Sequence, residues 1–324
     1  MFNFVIFGSG QDLYRISYSE LIALDNVRYV STPYDFKNPL LRIIYKIHFS
    51  LRINKYIKLP FKNMWNYGYY KGDFGNKSPI CFIFFHNWCE FEKYGLIKYL
   101  HKKYPDSKMV CFFQDLIELQ NGLDIYHVKN VFDLVISYDS VEAKRYNINY
   151  HPTVYSKSLV AQNDEIQKSD VYFLGAAKNR LAKIILIYQY LQSKGLKCEF
   201  YLTNVNPHDQ LHYEGIHYIQ QMSYQENLQH ILKSACILEV MQENATGYTM
   251  RTWEAIMYDK KLLTNNIEVR DAPFYNDKYI SIFSEITDID IAFLNDSSNN
   301  PVDYNYKEQL SPKKLLSFIV KKLS

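Results

Sequence analysis

Residues 236–266 read CILEVMQENATGYTMRTWEAIMYDKKLLTNN, and the rest of the chain is best understood outward from them. Cys236 to Leu238 is a short apolar run that predicts a buried strand ending at Glu239. A polar loop with Gln242, Glu243, Asn244, Thr246 and Gly247 follows. From Thr249 the spacing turns helical, because Met250, Trp253, Ile256 and Met257 fall on one face. The same spacing sets Arg251 and Glu254 side by side on a neighbouring face, either as ligand groups or as a solvated ion pair. Lys261 to Leu263 is a second strand, closed by Thr264, Asn265 and Asn266. Strand, polar loop, helix and strand in that order predict an α/β fold with a parallel sheet. The polar groups then sit at its carboxyl edge, where open α/β sheets bind ligands.

The upstream half repeats the pattern. Ile80–Phe85 ends in His86 and Asn87, Met109–Phe113 in Gln114 and Asp115, and Leu134–Ile136 in Ser137, Tyr138 and Asp139. Helical segments alternate with these strands, as parallel sheets with crossover connections require. His86, Asp115 and Asp139 would share one edge and could accept a proton from a hydroxyl. The plainer reading is that Asn87, Asp115 and Asp139 cap the helices that follow. Phe2–Phe7 is the first strand, with Gly8-Ser9-Gly10 as its turn. The third glycine of a dinucleotide fingerprint would fall at Leu13, so that reading is set aside.

Thr153 to Lys168 has few large apolar residues and reads as a linker. Domains are therefore expected at 1–155 and 170–324, with 156–169 between them. Asp170–Gly175 restarts a strand, and Ala176-Ala177-Lys178-Asn179-Arg180 leads into a helix from Leu181. Strand, Gly175, basic loop and helix N-terminus make a place for phosphate, with Lys178 and Arg180 adding charge. His208 and His212 have the spacing of a metal pair but no third ligand, and Asp288-Ile289-Asp290 lies in an apolar alternation. Neither reads as a metal site. Ser311 to Lys322 predicts a closing helix.

Residues 38–62, NPLLRIIYKIHFSLRINKYIKLPFK, interleave helically spaced Leu and Ile with Arg and Lys and hold no acidic residue. Such a segment either packs on a core with its lysines solvated or lies on an anionic bilayer. The 324 residues suffice for two cores, and 48% hydrophobic with 22% charged residues is ordinary for a globular protein. A net charge of +3 implies no nucleic-acid partner. Five scattered cysteines without C-x-x-C spacing fit a reducing cytoplasm. The first residues lack the basic start of a signal peptide, and no run approaches a membrane span.

Gly247, Arg251, Glu254 and Ala255 followed by KKLLTNN resemble the donor-site motif of GT-B glycosyltransferases. The resemblance implies two Rossmann-like domains facing across a cleft, with the acceptor bound by the first and a nucleotide-sugar by the second. Lys178, Arg180 and Arg251 would stabilise the diphosphate without metal or other cofactor. Glu254 would meet the ribose, and Gln242, Asn244 and Thr246 the sugar or phosphates, with Gly175 and Gly247 in the donor loops. Asp115, then His86, would supply a base. Many retaining members carry two glutamates separated by seven residues; here the first would fall at Thr246, and the stereochemical outcome stays open. The implied activity is sugar transfer to a hydroxyl of a glycan or lipid-linked acceptor in bacterial surface polysaccharide or lipopolysaccharide synthesis. It would take place in the cytoplasm, with residues 38–62 as a peripheral contact to the inner membrane. The rivals are a catalytically inert GT-B-like binding domain and a non-hydrolysing nucleotide-sugar epimerase.

Overall fold

The structure, a computed structural model, describes residues 2–31, 38–57, 59–85, 94–120, 123–160, 163–242, 247–296 and 301–324. It divides into two compact units, 1–154 with 311–324 and 155–310. Each is built on a six-stranded parallel sheet.

In the first unit the strands are β1 (Asn3–Phe7), β2 (Val27–Val30), β3 (Ile80–Phe85), β4 (Lys108–Phe113), β5 (Leu134–Ser137) and β6 (Asn149–Tyr150). Their order across the sheet is β2-β1-β3-β4-β5-β6. β3 reads ICFIFF and β4 KMVCFF, each buried from its second residue onward. Near-continuous apolar runs of this kind suit strands covered on both faces.

The helix Pro312–Leu323 corrects the expected boundary, because it belongs to the first unit and not to a second domain running to the last residue. Its Leu315, Leu316 and Ile319 are buried in the same core as β3 and β4. Ser311, its N-cap, also donates to Glu20 Oε2 at 2.6 Å. The expected linker, 156–169, likewise opens with a fully buried residue, Ser156, and Tyr155 just before it is fully buried too. Tyr155 is held by a backbone bond to Leu310 O at 2.7 Å.

The basic segment packs on the core along one face only. Pro39–His48 is a helix capped by Asn38, and Leu51–Tyr56 is one capped by Ser50. Ile44, Tyr45 and Phe49 pack against the first core. Leu40, Ile43 and Ile47, on another face of the same helix, are 62, 54 and 43% exposed.

In the second unit the strands are β7 (Ser169–Ala176), β8 (Cys198–Thr203), β9 (Ile216–Tyr218), β10 (Ser234–Glu239), β11 (Lys261–Thr264) and β12 (Ile280–Ile282). The order β12-β11-β10-β7-β8-β9 means that the chain runs outward from β7 to one edge, then returns beside β7 and runs to the other. This is the doubly wound Rossmann order, and its reversal point lies between β7 and β10. The 236–266 stretch folds as β10, the helix Met250–Met257 and β11, with Cys236 opposite Lys261 and Glu239 opposite Thr264. Asp288 and Asp290 turn out to be helix caps, accepting from Glu285 N at 2.9 Å and Phe293 N at 3.0 Å.

Candidate functional site

The carboxyl ends of β7 and β10, at the reversal point, gather three cations. Lys178 and Arg180 lie in a single 3-10 turn, Lys178–Arg180, directly after β7. Lys178 takes φ +47°, a left-handed conformation that a lysine rarely adopts and that marks a constrained loop. Its Nζ donates to Gln242 Oε1, at the end of β10, across 3.3 Å. Arg180 donates to Ala176 O at 2.6 Å and to Val240 O, tying the two strand ends together. The helix Leu181–Ser193 follows at once, and no side-chain cap serves its N-terminus.

Arg251 approaches from the other side, on the first turn of Met250–Met257. It donates to Leu174 O, and its guanidinium lies 5.2 Å from the centre of the Phe173 ring. Gly175 makes room for it, since a Cβ there would meet Arg251 Nη2 at 2.5 Å. The Nε atoms of both Arg180 and Arg251 are buried without a hydrogen-bond partner. Burial, and then the Arg251 cation, hold Arg180 below its usual pKa. Among the described residues no carboxylate forms an ion pair with Lys178, Arg180 or Arg251. The hydrogen-bond partners of both arginines are backbone carbonyls, and the carboxylate that acts on Arg251 is Glu254, at a distance beyond a contact ion pair. Such an arrangement favours an anion.

Two buried glutamates hold this edge together. Glu239, fully buried at the end of β10, accepts hydroxyls from Thr249, from Thr252 at 2.9 Å and from Thr264 at 2.5 Å. Thr249 is also the N-cap of the Arg251 helix, its Oγ1 accepting from Arg251 N at 3.2 Å. Glu239 thus sets where that helix begins and therefore where Arg251 points. In the sequence Glu239 stands out only as the end of a strand, which it is. A pattern could have exposed it: hydroxyls three apart at 249 and 252, and another at 264, the register partner of 239. Gly247, at φ +77°, needs glycine's freedom, and its carbonyl is held by Asn266 Nδ2 at 2.8 Å.

Glu254 does not lie on a solvated face beside Arg251. It is 5% exposed, and its Oε1 accepts from Tyr224 OH at 2.7 Å and Asn227 Nδ2 at 3.0 Å. Tyr155 OH in turn lies 2.5 Å from Tyr224 OH, and Tyr172 OH donates to Asn227 Oδ1 at 2.9 Å. Burial raises the pKa of Glu254 against the opposing pull of Tyr224, Arg251 and Asn227. The bonds from Tyr224 and Asn227 both fall on Oε1. Trp253, beside it, is core, edge-on to Tyr248 and Phe274.

Of the remaining expected residues, His86, Asn244 and Thr246 lie outside the described residues. Asp115 is exposed after β4, close enough to Tyr14 to help burial push that phenol up to about 12. Asp139 is 5% exposed and caps the helix Ser140–Tyr146 through Glu142 N at 2.8 Å, which realises its plainer reading. Glu142 fixes the loop beside Asp115 by accepting from Ile117 N at 3.0 Å and Glu118 N at 3.2 Å. The glycine turn after β1 is filled by Tyr29, whose hydroxyl donates to Ser9 O at 3.0 Å and accepts from Ser9 N at 3.1 Å. A pyrophosphate would need that backbone N–H itself.

No family model and no curated protein sequence matches the chain. Solved structures do. An α-glucosyltransferase in complex with UDP and a DNA 13-mer aligns at TM-score 0.60 and 10% identity, over 99% of this chain and 98% of its own. The complex of an α-glucosyltransferase with UDP-glucose and abasic DNA aligns at 0.52 and 11% identity, over the same shares. A glycosylation-associated protein complex, Gap123 from Streptococcus agalactiae, aligns at 0.46 and 10% identity; this chain covers 53% of that one, and 76% of itself is matched. At these identities the first two show the fold alone, and the third is too loose to argue from. The fold is α/β with two Rossmann-like units, as in GT-B glycosyltransferases.

Proposed function

We propose, with the GT-B fold as premise, that this protein is a glycosyltransferase whose second unit holds a nucleotide-activated sugar. The observation that carries the reading is the trio Lys178, Arg180 and Arg251, none in a contact ion pair among the described residues, at the reversal point of a Rossmann sheet. A nucleoside diphosphate is the anion suited to that place, because open α/β sheets bind nucleotides outside such carboxyl ends. The two aligned α-glucosyltransferases hold UDP and UDP-glucose, which agrees with a nucleotide-sugar as donor.

In the reaction, the bond from the anomeric carbon to the diphosphate oxygen breaks and one to the acceptor oxygen forms. Negative charge grows on the departing diphosphate. Lys178, Arg180, Arg251 and the uncapped N-terminus of Leu181–Ser193 would stabilise it, so the transfer we propose needs no metal. Gln242, Asn244 and Thr246 are assigned to the sugar and phosphates, and Glu254 Oε2 to the ribose. In an inverting reaction the proton of the acceptor hydroxyl would pass to Asp115 or His86 in the first unit, which we assign to the acceptor. The acceptor class is a glycan or lipid-linked hydroxyl of bacterial surface polysaccharide or lipopolysaccharide, met at the cytoplasmic face of the membrane.

The test is release of nucleoside diphosphate from a panel of nucleotide-sugars, with and without a lipid and glycan extract as acceptor. Acceptor-dependent release that falls at least tenfold in Arg251→Ala supports transfer. Tight donor binding with no turnover under any acceptor would instead identify an inert binding domain. Interconversion of the sugar without acceptor would identify an epimerase.

A further inference from the structure

The face left open by residues 38–57 and 59–64 lies in a stretch whose composition points to one kind of partner. Between Asp35 and Asp73 the sequence holds eight Lys and Arg residues and no Asp or Glu. That window carries +8 in a chain of net charge +3, so everything outside it sums to −5. Charge is segregated here, not spread.

The same window carries large apolar side chains that the fold does not cover. Besides Leu40, Ile43 and Ile47, Tyr56 is 82%, Ile57 62% and Phe61 75% exposed. Leu40, Ile43 and Ile47 share one helical face, and the exposed Arg42 and Lys46, four apart, form the next. Exposed Arg52 and Lys55 alternate with Ile53 and Tyr56 in the second helix. Hydrogen bonds also tie the face together. Trp65 Nε1 donates to His48 Nδ1 at 2.9 Å, Asn54 Nδ2 to His48 O at 2.8 Å, and Lys62 Nζ to Asn54 Oδ1 at 2.5 Å. With Ile44, Tyr45 and Phe49 anchored in the core, the outward stripe has no route inward.

We infer that this face is an in-plane docking element for an anionic bilayer, with the Leu and Ile stripe and the aromatic rings entering the acyl boundary and Arg and Lys meeting lipid phosphates. Amphipathic helices bind membranes by that combination, and aromatic rings favour the headgroup level. A second copy of the chain fits poorly, because two +8 windows would be brought face to face. No described helix is long and apolar enough to cross a membrane, so contact would be peripheral. The docking face stands whether or not the donor site is what we propose.

Flotation of the full-length protein with vesicles of phosphatidylcholine alone, or of phosphatidylcholine with phosphatidylglycerol, tests it. The wild type should float with the anionic vesicles only, and less so as salt is raised. Arg42→Gln with Lys46→Gln should lower partitioning by on the order of thirtyfold, at about a factor of five for each cation. Ile43→Ser with Ile47→Ser should lower it by at least about tenfold. These positions are exposed, so both variants should keep the wild-type melting temperature and nucleotide response. Failure here is thereby separable from failure of the donor site. Equal flotation with neutral vesicles, none with anionic ones, or variants that float like wild type overturns the inference. Self-association lost in Ile43→Ser/Ile47→Ser without vesicle binding overturns it in favour of a second copy.

Discussion

Gly175→Ala separates the donor site from the stability of the fold. A methyl group at 175 would stand 2.5 Å from Arg251 Nη2 and 3.2 Å from Phe173 Cζ. The backbone tolerates alanine, and the clash is with the far end of a flexible side chain, so Arg251 yields before the strand does. What the folded state loses is a hydrogen bond to Leu174 O and a cation–ring contact. Their net worth is about 1 to 2 kcal/mol, of which roughly 0.4 to 1 is returned by the lower entropy of an unfolded chain with alanine. Stability should therefore change by no more than about 1.5 kcal/mol. Binding is another matter. A guanidinium that no longer points at the anion removes a charge-assisted hydrogen bond of about 1.5 to 3 kcal/mol, a loss of roughly 10- to 150-fold in affinity. Titration calorimetry with the nucleotide that binds, on Gly175→Ala, Arg251→Ala and the double variant, reads this directly. The single losses should be similar and the double no worse than either, since both act through one side chain. Wild-type affinity in Gly175→Ala, or additive losses in the double variant, would refute the reasoning.

The two buried glutamates give further outcomes. Glu239→Ala strands the hydroxyls of Thr249, Thr252 and Thr264 in the interior, and urea unfolding should show a loss of roughly 3 kcal/mol or more. Glu239→Gln keeps an acceptor and should recover part of that stability while still weakening nucleotide binding through a displaced Arg251 helix. For Glu254 the folded state holds its proton to higher pH than the unfolded chain does. Its contribution to stability is therefore complete below the ordinary glutamate range and declines as pH rises from there through the raised pKa. Glu254→Gln, which preserves the acceptor for Tyr224 and Asn227, should flatten that decline in unfolding curves taken from pH 4 to 7; an unchanged slope would mean another group produces it.

The architecture was readable because parallel strands buried on both faces announce themselves as apolar runs, and because polar loops punctuate them at one end. The 236–266 stretch folds as its periodicity predicts, down to Thr249 as the helix start. Other features were out of reach for physical reasons. The Leu315–Ile319 stripe would suit either core, and nothing local records that the chain returns to the first unit. Helical spacing makes Arg251 and Glu254 neighbours, but tertiary partners decide where they point. Leu174 O takes one, and Tyr224 with Asn227 takes the other. Glu239 escaped notice because its three partners come from a helix start and a second strand, a convergence that register alone reveals. Composition left open whether the apolar residues of Pro39–His48 pack on a core or lie at a surface, and the fold divides them, with Leu40, Ile43 and Ile47 facing outward. Composition gives the amphipathic helix, and only the fold shows which face is left without cover.

The central claim is an anion site for a nucleoside diphosphate at the ends of β7 and β10. A thermal-shift panel of UDP, GDP, a CDP-sugar, a CMP-sugar and NAD, run on wild type and Arg251→Ala, tests it most directly. A ligand at 100 times its dissociation constant adds about 2.7 kcal/mol, well within the resolution of a melting curve. The account predicts that one nucleotide bearing a diphosphate stabilises the wild type and that Arg251→Ala, itself folded, does not respond. Stabilisation by none of them, by NAD alone, or equally in both proteins would contradict it.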